Sequence, residues 1–397
     1  MWRRLLCCQY SMLVLMACLY VLGVARTLLI GRLPRPLDPG QRIQEEASTS
    51  NASLPPEETP PQIRHPYYLP ECYAYEGLRA RFTCSDDIHS FRNYSYDDIL
   101  ECASDLWEVI RNRSIPNPWK TPGSSSSVPS PSAPDALAAS QRPSVHLVMA
   151  GDSHIRNIFE VFLRRMANPR VKYRTARMEE NDWRDSEDLF ASWKWNTHEF
   201  FHELLHLDVP LRITFYWDPF LETLPQLLSS WTAGNDSNPT YLLIGSTLHY
   251  MEKTKTIFLT KGPEDASRSF VNHLKVISPQ LAAFSKTTPV VFKLQDHLQK
   301  HHRNQIETRQ NIDRYNNIAR DVLPKSASSF VVWSSTVPLS DLYLEVCRRE
   351  GSVLPHNFDW RCYDEKHLGY IVIDQYLDMY LNDICCCFKR GRRYAVE

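Results

Sequence analysis

From residue 144 onward the chain alternates short apolar runs with stretches in which apolar residues recur every three or four positions. That alternation predicts an α/β fold, a parallel sheet with helices on its faces. Strands are expected at 145–150, 211–217, 241–244, 290–294 and 330–333; over 211–217, Leu211, Ile213, Phe215 and Trp217 alternate with other side chains. Ile155, Ile158, Phe159, Phe162 and Met166 follow the first strand at helical spacing, Ile312, Tyr315, Ala319 and Val322 mark one face of a second helix, and a last helix is expected over 369–381. Ahead of this domain (144–390) the pattern is weaker. Residues 31–70 are rich in Pro, Glu, Gln and Ser, with too few apolar side chains to offset the entropy of ordering, and read as a disordered stem. A cysteine-bearing segment at 71–120 follows, with one helical stretch near 99–110, and then a low-complexity linker at 121–143 containing Gly123-Ser124-Ser125-Ser126-Ser127.

The N-terminus has a different pattern. Met1-Trp2-Arg3-Arg4 precedes an apolar run over 5–25 broken only by Gln9, Ser11 and Gly23, long enough to span a bilayer. Gly23 and Ala25 fit a cleaved signal peptide, whereas the length of the run favours an uncleaved anchor over 1–30. Either reading sends the rest of the chain into the secretory lumen, and the anchor reading makes the protein a single-pass type II membrane protein of the Golgi or a neighbouring compartment. Sequons at Asn51, Asn93, Asn112 and Asn235 agree with that route. So do the cysteines beyond the apolar run, Cys72, Cys84, Cys102, Cys347, Cys362, Cys385, Cys386 and Cys387, an even set for an oxidising compartment. They cluster at the two ends of the lumenal part, so bridges are expected to tie one end to the other, with connectivity left open. Lys+Arg at 45 against Asp+Glu at 46 gives a net charge of -1 without a basic, aromatic-laced stripe, which argues against nucleic acid as a partner.

Candidate chemistry sits at the end of the first strand. Gly151-Asp152-Ser153 forms the turn into the following helix, where a serine is exposed at the carboxyl edge of the sheet beside backbone N–H groups able to hold an oxyanion. Far downstream, Asp364-Glu365-Lys366-His367 places an Asp and a His three apart, so one short turn can aim the carboxylate at one imidazole nitrogen and leave the other for a serine. The blander alternative is that Asp152 and Ser153 only cap the helix and that Asp364 and His367 form a solvated turn.

Gly151-Asp152-Ser153-His154-Ile155-Arg156-Asn157 is similar to the GDSxxR block, and Asp364–His367 to the terminal Asp-x-x-His block, of the PC-esterase group within the SGNH-hydrolase class. That group includes plant trichome-birefringence-like glycan O-acetyltransferases and the lumenal domain of the animal sialic acid O-acetyltransferase. Leu294-Gln295-Asp296 and Ile312-Asp313-Arg314-Tyr315-Asn316 resemble the middle of the latter, and the likeness spans roughly 144–381. The resemblance implies a three-layer α/β/α, flavodoxin-like parallel sheet, with Ser153 as nucleophile, His367 as base and Asp364 orienting it. It also implies Gly245 and Arg156 as oxyanion or substrate-binding groups. Thr247 stands where the class usually has the asparagine of Gly-x-Asn-Asp. The activity implied is glycan O-acylation, with acetyl-CoA or another acyl donor as co-substrate, no bound cofactor or metal, and a partner membrane protein as a source of donor. A carbohydrate O-acetyl esterase would use the same residues.

Two other classes compete. His198-Glu199-Phe200-Phe201-His202 and His202-Glu203-Leu204-Leu205-His206 are overlapping H-E-x-x-H patterns, which on a helix would place two histidines on one face for Zn²⁺ in a metallopeptidase. The metzincin continuation is absent, and the stretch reads instead as an amphipathic helix packing Phe201, Leu204 and Leu205, with His297, His301 and His302 solvated. A non-catalytic glycan-binding protein is the remaining reading.

Overall fold

The computed structural model describes residues 66–76, 78–84, 91–113, 144–179, 182–186, 199–234, 238–299, 306–324 and 329–394. The apolar run at 5–25, most of the stem, the linker at 121–143, the sequons Asn51 and Asn235, and His198, His301 and His302 lie outside them. Among the described residues no helix is long and apolar enough to cross a membrane.

Short 3-10 turns at Pro66–Tyr68 and Pro70–Cys72 lead into an antiparallel hairpin of β1 (Tyr73–Glu76) and β2 (Arg79–Phe82), followed by α1 (Tyr96–Arg113). Next come β3 (Val145–Gly151), α2 (Ser153–Arg165), β4 (Val171–Thr175), β5 (Arg184–Asp185), β6 (Phe201–His206), β7 (Leu211–Trp217) and α3 (Leu224–Thr232). The remainder is β8 (Tyr241–Gly245), α4 (Leu248–Lys253), α5 (Lys255–Lys261), α6 (Pro263–Phe284), β9 (Val290–Lys293), α7 (Arg309–Val322), β10 (Phe330–Trp333), α8 (Thr336–Glu350) and α9 (Tyr370–Tyr394).

The central sheet runs β10-β9-β8-β3-β7-β6-β4-β5. From β10 to β7 every pairing is parallel, and β7, β6, β4 and β5 pair antiparallel. The expected strands thus make the parallel half, and the antiparallel extension is an addition to the expectation. Its cause is local: only residues 207–210 join β6 to β7, too few for the crossover that a parallel pair requires. Alternate residues of β3 serve opposite faces. Val145, Leu147 and Met149 pack with α1, α2 and α9, while Val148 and Ala150 pack with α3, α4, α6 and α7. With both faces covered, all of β3 is buried, which is why it reads as an apolar run broken only by His146, whose Nε2 meets the Thr214 hydroxyl at 2.8 Å.

The H-E-x-x-H stretch is a strand where a helix was expected. In β6, His202 and His206 lie on one face about 13 Å apart, at roughly 3.3 Å per residue, so they cannot share a metal ion. Each residue has another task. Glu203 is buried and paired with Arg174 (2.5 Å) from β4 and with Arg212 from β7. His206 accepts the N–H groups of Asp208 and Val209 on Nδ1 and meets the Tyr96 hydroxyl at 2.8 Å through Nε2. His202 packs against Phe159 and Phe215, and burial pushes its pKa down to about 4, against the opposing pull of Glu199. Apolar residues and histidines at positions that suit a helix equally suit a two-sided buried strand, and the neighbours β4 and β7 decide.

Two further expectations are corrected. The stem expected over 31–70 does not extend to Tyr67 and Tyr68, which are buried, and the Tyr68 carbonyl accepts the N–H groups of Ser334 and Ser335. His297, read as solvated, is buried with its ring between Asp341 (2.7 Å) and Asp313 (2.9 Å), which raise its pKa against the opposing effect of burial.

Disulfides join Cys72 to Cys84, Cys102 to Cys385 and Cys347 to Cys362. The second ties α1 to α9 across 283 residues, the expected link between the two cysteine clusters. Closing so long a loop restricts the unfolded chain, so Cys102→Ser is expected to lower unfolding free energy by about 2–4 kcal/mol. Denaturant midpoints of the oxidised proteins check this, and an unchanged midpoint would contradict it.

Candidate active site

The central strand β3 lies between β7 and β8, so successive parallel strands are added first on one side of it and then on the other. Crevices in open α/β sheets form at such switch points, outside the carboxyl ends of the strands, and Ser153 stands there as the first residue of α2. The turn that delivers it needs two glycines. Gly151 pairs in register with Gly245, and a Cβ on Gly151 would stand 2.0 Å from the Gly245 carbonyl oxygen. Gly151 also has φ +154. Asp152 then caps α2, accepting the His154 N–H at 3.0 Å on Oδ1, while Oδ2 faces the Thr247 N–H at 3.4 Å. The capping role foreseen as the bland alternative is therefore real, and it belongs to Asp152.

The loop between α8 and α9 brings the other half. The Asp364 N–H donates to the Arg361 carbonyl at 2.9 Å, closing a turn in which Lys366 N–H and His367 N–H both donate to Asp364 Oδ1, at 2.9 and 3.0 Å. That leaves Asp364 Oδ2 to face His367 Nδ1 at 2.9 Å, and His367 Nε2 lies 2.9 Å from Ser153 Oγ. Ser153, His367 and Asp364 thus come together across 214 residues of chain. Burial pushes the Asp364 pKa up, but the bond and the charge of His367 outweigh it and bring it down to about 2, so the carboxylate stays ionised and the Nδ1 proton points at it. Burial is also the largest influence on His367 and lowers its pKa, with the Asp364 bond pulling the other way and the nearby His154 charge adding to the lowering.

Arg156 lies one turn into α2 and is buried, its guanidinium 5.3 Å over the Trp217 ring and 3.0 Å from Glu160. Its Nη1 has no hydrogen-bond partner among the described residues, an uncommon state for a buried donor. Glu160 also accepts the Tyr370 hydroxyl at 2.7 Å, and burial raises its pKa against both partners. A cleft of about 380 Å³ opens over these groups. With Ser153 and Arg156 it is lined by Trp217, Leu248, His249 and Glu252 and, from the α8–α9 loop, by Phe358, Arg361, Tyr363, Asp364, Lys366 and His367.

Gly245 does not line this cleft, and its carbonyl accepts the Asp152 N–H at 3.3 Å. A Cβ there would come within 2.9 Å of the Lys293 carbonyl oxygen and of the Ile155 side chain, so what the structure shows for this glycine is close backbone packing. Arg361, Tyr363, Phe358, His249 and Glu252 were not singled out from the sequence. The only available signal was their proximity to the Asp364 block or to Gly245. No protein-family model matches this sequence, so the arrangement of Ser153, His367 and Asp364 carries the functional reading by itself.

Proposed function

We propose that this protein is a serine enzyme of the SGNH class and PC-esterase type that transfers an acyl group, acetyl in the simplest case, onto a glycan hydroxyl. The observation that carries the reading is the hydrogen-bonded series Ser153, His367, Asp364 opening into a cleft at the carboxyl edge of the sheet. In the first half-reaction Ser153 Oγ attacks the donor carbonyl while His367 Nε2 takes its proton, and Asp364 stabilises the imidazolium that forms. The negative oxygen of the tetrahedral intermediate faces the Ser153 N–H at the start of α2, with the Arg156 guanidinium beside it. Collapse expels the donor's leaving group, protonated by His367, and leaves an acyl-serine. A sugar hydroxyl then attacks, with His367 as base again, and frees Ser153. Attack by water in place of the sugar makes the same site a carbohydrate O-acetyl esterase.

Acetyl-CoA or another acyl donor serves as co-substrate in this reading. The apolar run at 5–25 and the disulfides support a Golgi or other secretory-pathway membrane, with the domain lumenal and a membrane partner supplying donor. The test offers the detergent-solubilised full chain unacetylated glycans with acetyl-CoA, and acetylated glycans without it, alongside Ser153→Ala. Acetylated product that depends on Ser153 supports transfer, and acetate release alone supports the esterase. Turnover of either kind that survives Ser153→Ala rejects both.

The pH dependence follows from His367, whose neutral form is the working base and whose pKa is held below the ordinary 6.5. Activity is therefore expected to be level through neutral pH and to fall only as pH drops through a value below 6.5. A kcat/KM profile with its acid limb at or above that value contradicts the assignment.

A further inference from the structure

The turn that carries Asp364 and His367 is fastened at a third point. Lys366, between them in sequence, pairs its ammonium with Glu252 at the end of α4 and stands 3.9 Å from Glu307, just ahead of α7. Glu252 from α4 and Lys366 from the α8–α9 loop both line the cleft, so this contact joins the two elements directly. Glu307 is nearly buried, its side chain 7% exposed, whereas Glu252 and Lys366 are about half exposed. Burial and the adjacent Glu252 hold the Glu307 pKa up, and burial acts the same way on Glu252, where the bond to Lys366 outweighs it. Both carboxyls thus converge on one ammonium, Glu252 in direct contact with it and Glu307 behind.

We propose that Lys366, Glu252 and Glu307 are positioning residues, a strap from the Asp364–His367 turn to α4 and the start of α7 that fixes the turn and sets the approach of His367 to Ser153. The backbone geometry favours this. The Lys366 N–H bonds the same Asp364 oxygen as the His367 N–H, so a shift of Lys366 moves the carboxylate that orients the imidazole. Displacements of about 1 Å at a reacting centre cost about a hundredfold in rate, so a strap of little value for stability can still govern turnover. The catalytic part of the inference rests on His367 serving Ser153 as base, and the geometric part does not.

The test is a double-mutant cycle on the full chain with Lys366→Met, Glu252→Gln, their combination, and Lys366→Arg. Expected is a fall in kcat of about ten- to a hundredfold in each single variant with KM little changed, no further fall in the double variant, and recovery to near the parent with Lys366→Arg. The second readout needs no substrate: the proton resonance of His367 Nδ1–H, sheltered by Asp364, should broaden and exchange faster in Lys366→Met and Glu252→Gln. If that resonance is unchanged in both, the strap is rejected whatever the protein's activity. A resonance that responds while Ser153→Ala remains active keeps the strap and removes the catalytic reading. Should Lys366→Met fail to fold, Glu252→Gln, at a half-exposed position and of the same shape, carries both readouts.

Discussion

Ser153→Ala is expected to lower kcat by about three to six orders of magnitude, and His367→Ala by about as much, because neither group works without the other. The double variant should then be no worse than either single one. Asp364→Asn is expected to cost about 10⁴, since an amide cannot be relied on to accept the Nδ1 proton and would favour the wrong imidazole tautomer. It would also disturb the two N–H groups held by Oδ1. The residual rate over water in each variant reports what the Ser153 N–H and Arg156 contribute, so Arg156→Ala in a Ser153→Ala background measures that share. These values are checked by steady-state turnover of the preferred ester, with circular dichroism showing that the variants fold. A Ser153→Ala protein keeping a tenth of parent activity would end the assignment.

Gly151→Ala is expected to be the most damaging single change to stability. The added Cβ would stand 2.0 Å from the Gly245 carbonyl oxygen and 2.9 Å from the Ile155 side chain, at a φ of +154 that disfavours any L residue. Neither neighbour can move cheaply: one is backbone of a buried strand, and the other is packed in the core beneath the site. A cost of about 4 kcal/mol or more is expected, a large part of the 5–15 kcal/mol that holds a typical domain folded. Gly245→Ala meets atoms at 2.9 Å and should cost less, so the denaturant midpoints should fall in the order parent, Gly245→Ala, Gly151→Ala. A Gly151→Ala protein with the parent midpoint would show that the two strands can separate, and with them the turn that presents Ser153.

Much of this architecture is legible in the residues because burial on two faces leaves a simple trace. β8 is apolar throughout and β3 apart from His146, β7 alternates, and α2 and α7 carry their apolar stripes at helical spacing. The long helix α6 was not anticipated, although Phe270, Leu274, Ile277 and Leu281 line its buried side; Pro279 within it blunts the helical signal. β6 reads as a helix because Phe201, Leu204 and Leu205 fall at helical spacing, and nothing within Phe201–His206 by itself tells the strand from the helix. β1 and β2 are too short to carry a periodic pattern.

The site divides along the same line. The chemical kinds and their local frames are written in neighbouring residues: a serine at a strand-to-helix turn, and an Asp and a His three apart, whose closeness is enforced by a single turn of chain. That these two frames meet, that His367 Nε2 faces Ser153 Oγ at 2.9 Å, that Gly245 packs against Ile155 and the Lys293 carbonyl, and that Lys366 ties the catalytic turn to α4 emerge from the packing of distant elements. Range separates the two. Capping, turn closure and periodic burial act over a few residues and leave their mark in neighbouring letters, whereas a contact spanning 214 residues depends on strand order and on which helices cover which face.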